Sequence, residues 1–158
     1  GSKASIPTCV KRFPMTDSEA NLDGSFPYTC PIVVRTNDID RNGHVNNTAH
    51  PIYFEQARAT YFRSLFADNW GASSVVVANI EIDYLAPIEL DDTVHVDLRV
   101  REVGSSSWTI EYRLRANDRV AATGRSTQVA WNRETASSQS LPDGWRTVLE
   151  AELVAPET

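Results

Sequence analysis

Apolar and polar positions alternate along this chain with two different periods, and the change of period divides it. Between about residues 48 and 66, Phe54, Ala57, Tyr61 and Leu65 recur at helical spacing, with Phe62 and Phe66 widening the stripe. Pro51 falls in the first turn, where a missing N–H does no harm. From Ser74 onward the period is two. Val75, Val77, Asn79, Glu81 and Asp83 alternate with the more apolar set Val76, Ala78, Ile80, Ile82 and Tyr84, and Ala86-Pro87 ends the strand. Residues 93–103 set Val94, Val96, Leu98 and Val100 against His95, Asp97, Arg99 and Arg101. Gly104-Ser105 is a turn, residues 108–115 a strand, Asn117-Asp118 a hairpin signal, and residues 120–131 the closing strand. Tight turns between long strands mean an antiparallel meander. Upstream, Ile32-Val33-Val34 marks a short strand at about residues 28–35, and downstream residues 142–153 suit a terminal helix.

The predicted class is therefore α+β, one antiparallel sheet covering the apolar stripe of one long helix. Residues 1–27, with Pro7, Pro14, Gly24 and Pro27, read as an irregular arm whose Gly1-Ser2 is a cloning remnant. Residues 28–145 are the expected domain and 146–158 a tail with helical character.

Composition narrows the function. The chain has 158 residues and a formal net charge of −6, the wrong sign for a general nucleic-acid binder. No apolar run approaches the roughly 20 residues that span a bilayer, and no export signal is visible, so a cytoplasmic protein without membrane partner is expected. Cys9 and Cys30 have no metal-ligand spacing and are expected as reduced thiols.

The chemistry lies in residues 37–47, where two carboxylates, a glycine, a histidine and two asparagines fall between a strand and the start of the long helix. Free N–H groups and the positive dipole end at a helix start can stabilise an oxyanion. A carboxylate just upstream can attack a carbonyl held there or activate water, and Gly43 permits the turn that joins the two. Two other readings fit the spacing. Asp38-x-Asp40-x-Asn42-Gly43 opens like a calcium loop, but its twelfth position is Ala49 where a bidentate Glu is required, and the preceding segment is β-like. Asp38 or Asp40 could equally cap an Asx turn with no further role.

The string Val34-Arg35-Thr36-Asn37-Asp38-Ile39-Asp40-Arg41-Asn42-Gly43-His44-Val45-Asn46-Asn47, then Tyr53-Phe54-Glu55-Gln56-Ala57-Arg58, resembles the 4-hydroxybenzoyl-CoA thioesterase-like group of hotdog acyl-CoA thioesterases. Ile82-Asp83-Tyr84-Leu85-Ala86-Pro87, Asp91-Asp92, Val103-Gly104-Ser105-Ser106-Ser107 and Gly124-Arg125-Ser126-Thr127 are similar to it in the same order. The resemblance implies a hotdog fold, a curved sheet wrapped around the helix, working as a homodimer or homotetramer. It implies an acyl-CoA substrate; separately, no cofactor and no metal are expected. Asp40 matches the family's catalytic carboxylate, as nucleophile or base, with Gly43 shaping the turn and the Asn47 N–H polarising the thioester carbonyl. His44, Val45 and Asn46 would wall the site, and Ser105, Ser106 and Ser107 would run beside the coenzyme A arm. Apart from the resemblance, Tyr53, Phe54, Tyr61 and Trp70 could line an acyl pocket, although core burial also explains most of them. His50-Pro51 departs from the family's more usual aliphatic or aromatic residues.

Glu55 is a rival carboxylate, but Arg58 three residues on suggests a helical ion pair. Two other functions suit such a fold: a non-catalytic acyl-CoA or acyl-carrier binding module, which releases no thiol, and a dehydratase or hydratase, which needs a His paired with an acid.

Overall fold

The computed structural model describes residues 9–11, 25–66 and 73–155; Trp70, a candidate for the acyl pocket, lies outside them, as does most of the N-terminal arm. Seven strands form one antiparallel sheet: β1 (Val10–Lys11), β2 (Tyr28–Ile32), β3 (Ser74–Tyr84), β4 (Val94–Val103), β5 (Ser107–Ala116), β6 (Arg119–Asn132) and β7 (Ser137–Ser138). Their order is β1-β2-β4-β5-β6-β3, with β7 also on β6. A 3-10 turn at Asn47–Ala49 runs directly into the long helix α1 (His50–Phe66), and α2 (Asp143–Glu152) closes the chain. This curved sheet around one helix is the hotdog fold that the resemblance implied.

The helical periodicity placed the core face of α1, with Leu65 only partly buried at its margin. The α1 face of Tyr53, Phe54, Ala57, Tyr61, Phe62 and Phe66 is buried against Val96, Leu98, Val100, Ile110, Tyr112 and Leu114 of the sheet, where each large side chain contributes roughly 1.5–3 kcal/mol. Phe54 stacks on Tyr112 with ring centroids 4.6 Å apart. That close approach explains Gly124: a Cβ there would sit 2.6 Å from the Phe54 ring and 2.8 Å from the Glu81 carbonyl oxygen. We expect Gly124→Ala to lower the urea-unfolding free energy by about 1–3 kcal/mol, as overpacking does.

Three expectations change. Strict alternation in β3 is broken by a bulge between Val77 and Asn79. Val75 and Val77 therefore share a face with Ile80, Ile82 and Tyr84, although a strict period of two separates them. The boundary at 145/146 falls inside α2, whose Trp145 and Leu149 are buried in the core. The cysteines are not reduced: Cys9 and Cys30 form a disulfide. β1 and β2 pair with Val10 opposite Thr29, which sets Cys9 directly opposite Cys30, with Cα atoms 4.1 Å apart. This long-range register is invisible in the sequence, and the pair removes the thiol argument for a cytoplasmic protein. No helix among the described residues is long and apolar enough to cross a membrane.

Candidate active site

Residues 39–45 form a tight loop closed by an Ile39–Val45 bridge, and the Asp40 N–H donates to the His44 carbonyl at 2.7 Å. Gly43 has φ +79°, the left-handed conformation that glycine adopts without cost. Oδ1 of Asp40 accepts the N–H groups of Asn42 (2.8 Å) and His44 (3.2 Å). Its second oxygen has no hydrogen-bond donor among the described residues. The Asx turn thus exists, and it holds one carboxylate oxygen while leaving the other available.

Asp38 has a different task. It is buried and accepts from the Tyr53 hydroxyl (2.7 Å), the Arg35 N–H (3.0 Å) and the Arg35 guanidinium (3.2 Å). Burial alone would raise its pKa, but these donors outweigh it and hold the carboxyl below the usual 3.8. Because the folded pKa is depressed, the stability that Asp38 contributes is present above pH about 4 and is lost as pH falls through and below that value. Urea midpoints measured across pH 3–6 are expected to fall toward acid in the wild type and to fall less in Asp38→Asn.

Asn46 caps the helix start, its side-chain oxygen accepting the Thr48 N–H at 2.9 Å. The Asn47 N–H, one residue on, has no acceptor among the described residues. Asp40, His44, Val45 and Asn47 line one cavity of about 300 Å³ together with His50, Tyr84, Leu85, Ala86 and Pro87. The fold therefore brings the carboxylate and the open helix start to one hollow, where a carbonyl could be attacked and its developing charge met.

Other expected site residues lie elsewhere. Tyr53 is in the core, 1% exposed, tied to Asp38 and outside this cavity. Ser105, Ser106 and Ser107 form the β4–β5 turn, braced by Arg146, whose guanidinium donates to the Gly104 and Ser105 carbonyls at 2.9 Å. Ser107 is in register with Val129, and Val129 with Val76, eight residues from Tyr84 along β3. That separation is about 25 Å within one chain. The helical ion pair does not form: Arg58 instead donates to the Tyr112 hydroxyl at 3.1 Å. Glu55 lines a separate hollow of about 240 Å³ with Arg58, Phe62, Val75, Val77 and Trp108.

Sequence reasoning did not assign His50, Tyr84 or residues 85–87 to the site. His50 is 2% exposed, with Nδ1 3.1 Å from the Asn46 carbonyl oxygen. Burial pushes its pKa below the usual 6.5, against the opposing effect of that hydrogen bond. Tyr84 donates its hydroxyl to the Asn47 carbonyl at 2.8 Å. A buried-to-be histidine at the first turn of an apolar helix was the available signal.

Residues 34–151 match the sequence profile of the thioesterase-like superfamily. Over 90 residues the chain is 34% identical to the uncharacterised protein YsmA of Bacillus subtilis, covering 56% of this chain and 60% of that protein's length. Over 104 residues it is 32% identical to the acyl-CoA thioesterase YbgC of Haemophilus influenzae, covering 61% of this chain and 73% of that one. A thioesterase of Thermus thermophilus, solved in complex with coenzyme A and zinc, superposes with a TM-score of 0.71 at 36% identity over 79% of this chain and 98% of its own.

Proposed function

Because this chain belongs to the thioesterase-like superfamily, we propose that it is an acyl-CoA thioesterase, releasing a free acid and coenzyme A, with Asp40 as nucleophile or general base. The observation that carries the reading is the shared hollow: Asp40, with one oxygen uncommitted, and Asn47, with an open N–H, line the same cavity. A thioester carbon is already electrophilic, so one carboxylate and preorganised donors suffice. Asp40 either attacks the carbon, giving a mixed anhydride that water then hydrolyses to the free acid, or takes a proton from the water that attacks. The Asn47 N–H receives the charge on the carbonyl oxygen, and the C–S bond breaks with its electron pair leaving on sulfur. The coenzyme A in the Thermus relative and the acyl-CoA activity named for the Haemophilus one support this substrate class.

The working unit is a homodimer or a larger assembly built on it. β3 ends the strand order, and its 11 residues expose Val76, Val77 and Ile80. A long apolar strand edge of that kind is a template for pairing. A second copy laid antiparallel along β3 would bring its own Ser105, Ser106 and Ser107 to the Tyr84 end of the first, closing the 25 Å gap. The coenzyme A arm would then meet a turn of the partner.

Purified protein is expected to release thiol from members of a panel of short, long and aromatic acyl-CoA esters. Light scattering is expected to show at least a dimer, and charges in the strand edge (Val76→Lys with Ile80→Lys) should yield monomers with little activity. Coenzyme A binding without thiol release anywhere in the panel would make the chain a binding module.

A further inference from the structure

We propose that His50 is a positioning residue for this reaction: its imidazole holds the peptide between Asn46 and Asn47 so that the Asn47 N–H faces the thioester oxygen. The inference rests on the thioesterase reading and assigns a residue that this reading leaves unused.

The argument begins at one carbonyl. The Asn46 oxygen accepts the Ala49 N–H at 2.9 Å and lies 3.1 Å from His50 Nδ1. A carbonyl can only accept, so the ring proton is on Nδ1. In a trans peptide the C=O and the following N–H point in opposite directions, and the described chain contains no cis bond. Drawing the Asn46 oxygen into the first helical turn therefore turns the Asn47 N–H outward, toward the cavity that Asn47 lines. A hydrogen bond to the carbonyl also polarises the peptide and strengthens its N–H as a donor.

The next peptide is held in the same way. The Tyr84 hydroxyl donates to the Asn47 carbonyl at 2.8 Å, and the Tyr84 and His50 rings meet edge to face with centroids 4.8 Å apart. Two touching side chains thus hold two successive carbonyls beneath the proposed oxyanion site. A purely space-filling histidine is a poor explanation. His50 is 2% exposed, yet its Nε2 has no hydrogen-bond partner among the described residues. Nor is that atom sealed in: Trp108 Nε1 is the one buried side-chain polar atom among those residues without a partner. Nε2 is therefore not fully enclosed, and His50 lines the cavity in which Asp40, His44 and Tyr84 are the other titratable groups. Burial lowers the ring's pKa, which keeps it neutral near pH 7 with its proton on Nδ1.

Steady-state thiol release from the acyl-CoA that the wild type turns over best tests the assignment. Oxyanion donors act in the transition state, so the effect belongs in kcat. His50→Leu is expected to lower kcat by about 10–100-fold, below the 10²–10³ for outright loss of a donor, with KM within about twofold. His50→Asn keeps an amide N–H able to reach the Asn46 oxygen and is expected to recover most of the rate. Tyr84→Phe, at an exposed ring that the fold does not need, is expected to lower kcat about 3–10-fold at unchanged KM, as losing one neutral hydrogen bond does. If His50→Leu does not fold, His50→Phe, which keeps a ring and removes the Nδ1 donor, decides: a lowered kcat supports the assignment, an unchanged one overturns it. A silent wild type or a fully active Asp40→Asn overturns the thioesterase reading itself. A slow Asp40→Asn beside full-speed His50→Leu and Tyr84→Phe overturns this assignment alone.

Discussion

Asp40→Asn is expected to lower kcat for acyl-CoA hydrolysis by about 10²–10⁴-fold, the range that a positioned acid–base group supplies, while leaving folding and coenzyme A binding nearly intact. The substitution separates the two tasks of this side chain. Its Oδ1 holds the loop by accepting the N–H groups of Asn42 and His44. An Asn side chain keeps a carbonyl oxygen in that place, so the Asx turn survives. What it loses is the charge on the second oxygen, the one without a donor among the described residues. Asp40→Ala removes both and is expected to lose loop order as well as rate. Thermal unfolding beside the kinetics checks the distinction: Asp40→Asn should melt with the wild type, and Asp40→Ala below it. An Asp40→Asn enzyme at full speed would exclude Asp40 from the chemistry.

The largest stability effect is expected far from that loop. Asp97 stands on the face of β4 turned away from α1 and is fully buried. Its Oδ2 accepts from Arg113 Nε and Arg115 Nε, both at 2.7 Å, and its Oδ1 from Arg115 Nη2 at 3.0 Å. The Phe26 ring covers Arg113 and Arg99, with the guanidinium carbons 4.6 and 4.1 Å from its centre. Burial would raise the Asp97 pKa, but the two guanidinium groups outweigh it and hold the carboxyl below 3.8. Removing Asp97 takes away the buried carboxylate that Arg113 and Arg115 share. Asp97→Ala is therefore expected to cost about 3–5 kcal/mol, read as a drop in the urea midpoint at unchanged slope. A loss below about 1 kcal/mol would mean that water already reaches the cluster. Activity per folded molecule should hold, because none of Asp97, Arg113 and Arg115 lines the Asp40 cavity.

Much of this was legible in the residues. The apolar stripe of α1 and the alternation of β4 are local periodicities, and local periodicity decides which face is buried whatever the partner. The expected strands at 108–115 and 120–131 became Ser107–Ala116 and Arg119–Asn132, with turn residue Asn117 at φ 54° between them. The loop of residues 37–47 also announced itself, since two carboxylates and a glycine before a helix need few spatial assumptions to be suspected. Three features could not be read. The β3 bulge adds one residue to a ladder, and alternation cannot register the shift until the partner strand is known. The Cys9–Cys30 bond depends on how a distant arm pairs with β2. Arg58 had two acceptors within reach, and only the packed Tyr112 hydroxyl decided between them.

The sequence by itself determined the long helix and the main strands, the buried faces of α1 and β4, and the loop where carboxylate meets helix, because each follows from neighbours a few positions apart. Tertiary structure alone decided that Tyr84 and residues 85–87, from the far end of β3, close the cavity over Asp40. It also assigned Tyr53 to Asp38 and set the β4–β5 turn at the opposite end of β3 from Tyr84, about 25 Å along that strand. Those outcomes depend on sheet order and register, which are set by the summed packing of residues far apart in the chain, so no short stretch of sequence encodes them.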